Sequence, residues 1–117
     1  MQITSHKTNH VNSKIHIKAA GEPVNGAYHR YEIDIEGLVL DASIEFQNGS
    51  FEDVGVNGIT HECLLAIIEH RLSCFQEGDL RCRENAIALT KIQEARMWLQ
   101  KRTTDRQTRG AEGSHNA

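Results

Sequence analysis

The spacing of hydrophobic and polar positions changes period near the middle of the chain. Ser13-Lys14-Ile15-His16-Ile17-Lys18 alternates with period two, and Tyr28 through Glu36 alternates again, with Tyr31, Ile33 and Ile35 on one side. Successive side chains of a strand point to opposite faces, so this alternation predicts strands with one covered face. The cluster Gly21-Glu22-Pro23-Val24-Asn25-Gly26, which holds the only proline, is a turn between them. Val39 through Phe46 predicts a third strand. Asn48-Gly49 is the dipeptide favoured in two-residue hairpin turns, so Phe51 to Val56 is expected as a short returning strand before Asn57-Gly58. Residues 1–12 are polar and lack a period, and are expected to form a loose arm.

From Thr60 onward the period is helical. Leu64, Ile68, Leu72 and Phe75 recur at helical spacing, with Leu65 and Ile67 widening the apolar face. Thr60 is suited to cap this helix, with Glu62 in its first turn. Gln76-Glu77-Gly78-Asp79 ends it, and Asp79 can cap the next, whose apolar stripe is Ala88, Ile92, Ala95 and Leu99. A short glycine-containing connection between two such helices implies an antiparallel hairpin. Its arms, 60–76 and 81–108, are unequal, about 25 Å against about 42 Å at ~1.5 Å per residue. The longer arm is expected to project past its partner, carrying Trp98, Leu99 and the arginines that follow. The fold class is therefore α+β. A single domain is expected over 1–117, with a β-sheet portion (1–58), a helical hairpin (59–109) and a tail (110–117).

Composition adds a constraint on the core. With 117 residues, 38% hydrophobic and only 5% aromatic, a monomer has a thin core, and oligomerisation is a source of further burial. No apolar run reaches the length of a membrane span and the N-terminal residues lack a signal-peptide h-region, so a soluble intracellular protein without a membrane partner is expected. Cys63, Cys74 and Cys82 are odd in number and form no CxxC pair, which suits ordinary buried thiols. His6 and His10 are spaced like helix ligands, but His10 and His16 flank a strand-like segment and no acidic residue sits at a ligand-like offset. Neither a metal nor a cofactor is expected.

Charge is placed unevenly about its net value of −3. Residues 1–80 carry five basic and twelve acidic side chains, whereas residues 81–109 carry eight basic and three acidic. An acidic first half argues against a DNA or RNA polymer as partner and suits a compact anion at one place instead. Arg102, Arg106 and Arg109 fall at i, i+4 and i+7, on one helix face. Guanidinium groups match phosphate oxygens because they donate in parallel pairs. Basic residues are also favoured at a helix C-terminus by the dipole alone, at ~0.3–1 kcal/mol each. Spacing does not separate the two readings. Trp98, one turn before Arg102, suits stacking on a base or packing in an interface.

The run Cys82-Arg83-Glu84-Asn85-Ala86-Ile87-Ala88-Leu89-Thr90-Lys91-Ile92-Gln93-Glu94-Ala95, then Met97-Trp98-Leu99, Arg102-Thr103, Asp105-Arg106 and Arg109-Gly110, resembles a phage helical hairpin. That hairpin is shared by anti-CBASS and anti-Thoeris signal-sequestering proteins. Asn25-Gly26-Ala27-Tyr28-His29, Phe46-Gln47-Asn48-Gly49 and Val56-Asn57-Gly58 are similar to the first-described anti-Thoeris type. The resemblance implies a non-enzymatic sponge in the cytoplasm of the infected bacterial host. It would hold cyclic ADP-ribose isomers (glycocyclic ADP-ribose) made by TIR-domain Thoeris proteins, with cyclic di- and trinucleotides of CBASS systems as a second ligand class. It also implies a homodimer, able to group as a hexamer, a trimer of dimers. Positions matching the family's ligand contacts are Phe75, Asn85, Arg102 and Arg106, and Arg109 extends their cationic face. Phe75 suits either a base-stacking or a core role. Arg96 departs from the pattern, which has an apolar residue between Ala95 and Met97, so it either disturbs helix packing or adds a cation.

Asn85 and Arg102 lie seventeen residues apart on one helix, ~26 Å along its axis. A cyclic ADP-ribose isomer is roughly a third of that across. Both can serve one pocket only from different chains, with helices antiparallel across a dimer and the pocket occurring twice. Sequestration at nanomolar affinity needs about −12 kcal/mol. Charge-assisted hydrogen bonds supply ~1.5–3 kcal/mol each and base stacking ~1–3 kcal/mol, so an enclosed, preformed pocket must supply the rest. Two other readings stand beside the sponge. A nucleotide-degrading enzyme would have only Glu94, Asp105, His29 or His70 as a base, none in a catalytic pattern. A hairpin that binds protein instead would leave its arginines solvated.

Overall fold

The computed structural model describes residues 1–39 and 41–108. In chain order the elements are β1 (Gln2–Ile3), α1 (His10–Ser13), β2 (Ile15–Ala20), β3 (Arg30–Ile35), β4 (Asp41–Glu45), α2 (Phe51–Val54), α3 (His61–Glu77) and α4 (Arg83–Thr108). The α+β expectation is borne out, and the chain divides into two compact units, one formed by Met1–Ile59 and one beginning at Thr60.

In the first unit, the strands form one antiparallel sheet in the order β1-β2-β3-β4. The period-two pattern sets its register. Ile15, Ile17 and Ala19 face Ile35, Ile33 and Tyr31, which in turn puts Ile33 opposite Ala42 and Tyr31 opposite Ile44. A one-residue slip would carry this apolar set to the other face. That other face is polar, with Lys18 opposite Glu32 and His16 opposite Asp34. The Tyr31 ring meets Phe46 edge-on, with centroids 5.7 Å apart. Burial is shallow: among the described residues only Ala19, Ala20 and Ser50 are buried.

The N-terminal residues are not the loose arm expected. Met1 and Ile3 extend the sheet edge, with the Ala19 N–H donating to the Met1 carbonyl at 2.8 Å. His6 Nε2 lies 2.6 Å from the Ile15 carbonyl, and Lys7 Nζ donates to His16 Nδ1 at 2.6 Å while His16 Nε2 meets Glu36 at 3.1 Å. A two-residue strand leaves no detectable period, and the remaining contacts are made by polar side chains. Hydrophobic patterning is blind to both.

Phe51 to Val56 also differs from expectation: no returning strand forms there. Ser50 starts a helical turn instead, its hydroxyl and carbonyl both accepting from the Asp53 N–H, at 3.3 and 3.1 Å. Glu52 and Asp53 in the first turn suit the positive end of a helix. Asn48 and Asn57 then pair reciprocally: the Asn48 N–H donates to Asn57 Oδ1 at 2.9 Å, and Asn57 Nδ2 donates to the Asn48 carbonyl at 2.7 Å. Gln47 braces the same loop from within, through Gly55 and the Asn57 N–H. Phe46 and Ile59 close it as a parallel bridge. Gly58 is required at this closure, because a Cβ there would lie 2.3 Å from the Phe46 carbonyl carbon.

In the second unit α3 and α4 form the expected hairpin, of 17 and 26 residues. Thr60 caps α3 as anticipated, its hydroxyl oxygen accepting from the Cys63 N–H at 3.3 Å. Asp79 does not cap α4, which starts later. Cys82 takes that place, its Sγ accepting from the Asn85 N–H at 3.4 Å. All three cysteines are exposed in the single chain, not buried as composition suggested. Thr60 also donates to Cys63 Sγ at 3.4 Å, which holds that thiol below its ordinary pKa.

Half-buried positions trace the helix contact. They include Glu62, Leu65, Glu69, Leu72 and Gln76 on α3, and Asn85, Leu89, Ile92, Arg96, Leu99 and Thr103 on α4. Steps of three and four residues alternate along both, as in a coiled-coil seam. Arg96, not Ala95, occupies the seam, and Ile67 and Ile68 of the expected apolar face are exposed.

Candidate functional site

The site residues expected from sequence fall at two ends of the hairpin. Phe75 stands in the last turn of α3 and Asn85 in the first turn of α4, so both belong to the loop end. Both are half-buried. Arg71, one turn before Phe75, holds its guanidinium carbon 4.9 Å from the centre of the Phe75 ring. One ring face is thus turned to a cation, an arrangement worth ~0.5–1 kcal/mol at exposed sites. Sequence reasoning passed over Arg71, although its i, i+4 offset from Phe75 was a usable signal.

Asn85 is tethered to the connecting loop. Its Nδ2 donates to the Leu80 carbonyl at 3.4 Å, and its own N–H is taken by Cys82 Sγ. Gln76 spans the same loop from α3: its Nε2 donates to the Cys82 carbonyl at 3.1 Å and its Oε1 accepts from the Cys82 N–H at 3.0 Å. The loop end is therefore braced from both helices. Gln76 also escaped the sequence reading, because a glutamine beside a helix end carries no distinctive spacing.

Arg102 and Arg106 occupy the opposite end of α4, each half-buried, and Arg102 Nε is shielded from solvent. Lys101 and Asp105 pair across one turn at 2.8 Å. Arg109 lies outside the described residues. The span from Asn85 to Arg102 within unbroken α4 is ~26 Å, so one chain does not bring the two groups together.

Arg96 does not add a free cation to the arginine end. Its Nε donates to Glu69 Oε1 at 2.5 Å and its Nη2 to Glu69 Oε2 at 3.2 Å, a bidentate pair between α3 and α4. The third donor, Nη1, reaches Gln100 at 3.1 Å. The Arg96 guanidinium holds the Glu69 carboxyl below the usual carboxylate range, and Glu69 in return raises the Arg96 pKa.

This pair also fixes how far α4 overhangs. Eight residues back from Glu69 is His61, the first residue of α3; eight forward from Arg96 is Thr104. Trp98 and Leu99 thus run alongside α3, and at this end α4 extends past α3 only by the turn bearing Arg106, a smaller overhang here than expected. Leu99 is half-buried, whereas Trp98 is 70% and Met97 61% exposed. Among the described residues no three His, Cys, Asp or Glu side chains cluster in a way that could hold a metal ion. No helix of the described chain is long and apolar enough to cross a membrane.

Comparison with known proteins bears on the same segment. The chain is 49% identical over 74 residues to Thoeris anti-defense 1 of Bacillus phage SBSphiJ7, an alignment taking in 63% of this chain and 52% of that protein. It therefore spans about half the length of this relative. Residues 41–104, from β4 to the arginine end of α4, match the family described as Acb2/Tad1, hairpin domain. The resemblance drawn from the hairpin residues is borne out, and the chain belongs to the Acb2/Tad1 hairpin-domain family.

Proposed function

We propose that this protein is a phage anti-defence sponge that binds cyclic ADP-ribose isomers of TIR-domain Thoeris signalling and holds them without cleavage. The observation that carries the reading is a family hairpin with half-buried Arg102 and Arg106 at one end and Phe75 and Asn85 at the other. Identity to a protein named Thoeris anti-defense 1 directs it to this signal class. Because the two ends lie ~26 Å apart along α4, the pocket is assembled from two chains. The arginines of one protomer clamp the pyrophosphate oxygens, while Phe75 and Asn85 of its partner receive a base and its polar edge. The dimer, and a hexamer built as a trimer of dimers, is thus part of the binding mechanism, with CBASS cyclic di- and trinucleotides as further ligands. The protein acts in the cytoplasm of the infected host.

An enzyme is the weaker reading because its only candidate bases, Glu94, Asp105, His29 and His70, stand in no catalytic sequence pattern. In the test, glycocyclic ADP-ribose is incubated with excess protein, the protein is heat-denatured and the released nucleotide is analysed. Intact ligand is expected. A linear product would overturn the sponge reading in favour of an enzyme. Arg102→Ala and Arg106→Ala should each abolish binding while light scattering shows an unchanged assembly; unaltered affinity in both would return the hairpin to a protein-binding role.

A further inference from the structure

Gln76 is the penultimate residue of α3, and its side-chain amide is engaged by the backbone of a single residue across the turn. It accepts from the Cys82 N–H at 3.0 Å and donates to the Cys82 carbonyl at 3.1 Å, copying the two-way exchange between facing strand residues. Cys82 then fixes Asn85 through the Sγ contact to its N–H, and Asn85 holds Leu80 in turn. One amide therefore ties the end of α3, where Phe75 stands, to the start of α4, where Asn85 stands.

We infer that Gln76 is a positioning residue for ligand capture, holding Asn85 in place relative to Phe75 through the Cys82 backbone. The inference rests on the sponge reading, because it assigns Gln76 to the loop end of that pocket. Its physical basis is preorganisation. The connection between the helices contains Gly78 and five residues in all, Gly78 to Cys82, and unclamped it would sample many conformations. The cost of ordering it would then fall on ligand binding; clamped by Gln76, the loop is ordered before the ligand arrives. Neither close analogue can replace the amide. A glutamate carboxylate accepts from the Cys82 N–H but sets its other oxygen against the Cys82 carbonyl, and asparagine is one methylene short of the span.

The test is calorimetric titration of the full chain with glycocyclic ADP-ribose, comparing wild type with Gln76→Ala and Gln76→Glu. Both variants should bind about tenfold more weakly at pH 7, since the lost preorganisation is drawn from the binding free energy. Gln76→Glu should regain affinity relative to wild type as the pH is lowered toward ~4.3, where a protonated carboxyl restores the missing donor. A side chain that merely fills space would give wild-type affinity for Gln76→Glu at every pH. Unaltered affinity in both variants, or a deficit in Gln76→Glu that does not narrow on acidification, would overturn the inference while leaving the sponge intact. Failure of the wild-type chain to bind would remove the sponge reading, and this inference with it.

Discussion

Glu69 and Arg96 meet across the helical hairpin as a bidentate ion pair, Oε1 to Nε at 2.5 Å and Oε2 to Nη2 at 3.2 Å. Both stand at seam positions where an apolar side chain would ordinarily pack, and both side chains are about a quarter exposed. A pair of this kind gains less from attraction than its geometry suggests, because each charge gives up part of its hydration. Its main effect is on register: only one sliding position of α4 along α3 brings the two groups together.

Arg96→Leu and Glu69→Leu should therefore each lower the melting temperature by a few degrees, since each strands a partly dehydrated charge. The double variant should recover wild-type stability or exceed it. Thermal unfolding followed by circular dichroism checks this. A double variant no more stable than the less stable single would refute the account.

The same pair gives a pH dependence of known sign. The Glu69 pKa is lowered in the folded protein by Arg96, so its stabilisation is present above the unfolded carboxyl value and is lost as pH falls through the lowered folded value. The melting temperature of wild type should fall more steeply on acidification below pH ~4.3 than that of Arg96→Leu. Parallel acid limbs for the two proteins would contradict this.

At the loop closing the first unit, Gly58→Ala should destabilise by about 1–3 kcal/mol in urea unfolding, because the added methyl meets the backbone of Phe46 and Gln47 at the bridge between Phe46 and Ile59. Gly37→Ala is the contrasting control: a Cβ there meets nothing within 4 Å, so its cost arises from its positive φ of 82° alone.

Thr60→Ala should cost ~1 kcal/mol through loss of the α3 cap. It should also raise the Cys63 pKa, because the Thr60 hydroxyl that favours the thiolate is gone. Alkylation of Cys63 near neutral pH should slow relative to wild type, with Cys74 and Cys82 replaced by serine to isolate the signal. An unchanged alkylation profile would show that the hydroxyl does not act on the thiol.

Much of this architecture was legible in the chain. Period-two runs located β2 and β3, the 39–46 segment located β4, and helical periodicity located both arms of the hairpin to within a few residues. Thr60 was recognisable as a cap because the chemistry is local: a hydroxyl placed where an unpaired N–H needs an acceptor. Periodicity failed at Ser50 to Val54, where a local serine cap prevailed over the Asn48-Gly49 turn signal, and at the N-terminal arm, which is held by polar contacts. Family likeness, not spacing, singled out Phe75, Asn85, Arg102 and Arg106; spacing alone left the arginines divided between ligand and helix dipole.

The sequence by itself determined strands β2 to β4, the two hairpin helices and where positive charge gathers, because these follow from side-chain order along one element. Tertiary structure decided what depends on two elements meeting. It matched Arg96 with Glu69, shifted the α4 seam from Ala95 to Arg96, and closed Gln76 on Cys82. Such pairings depend on how separate elements meet in space, and no periodicity encodes that.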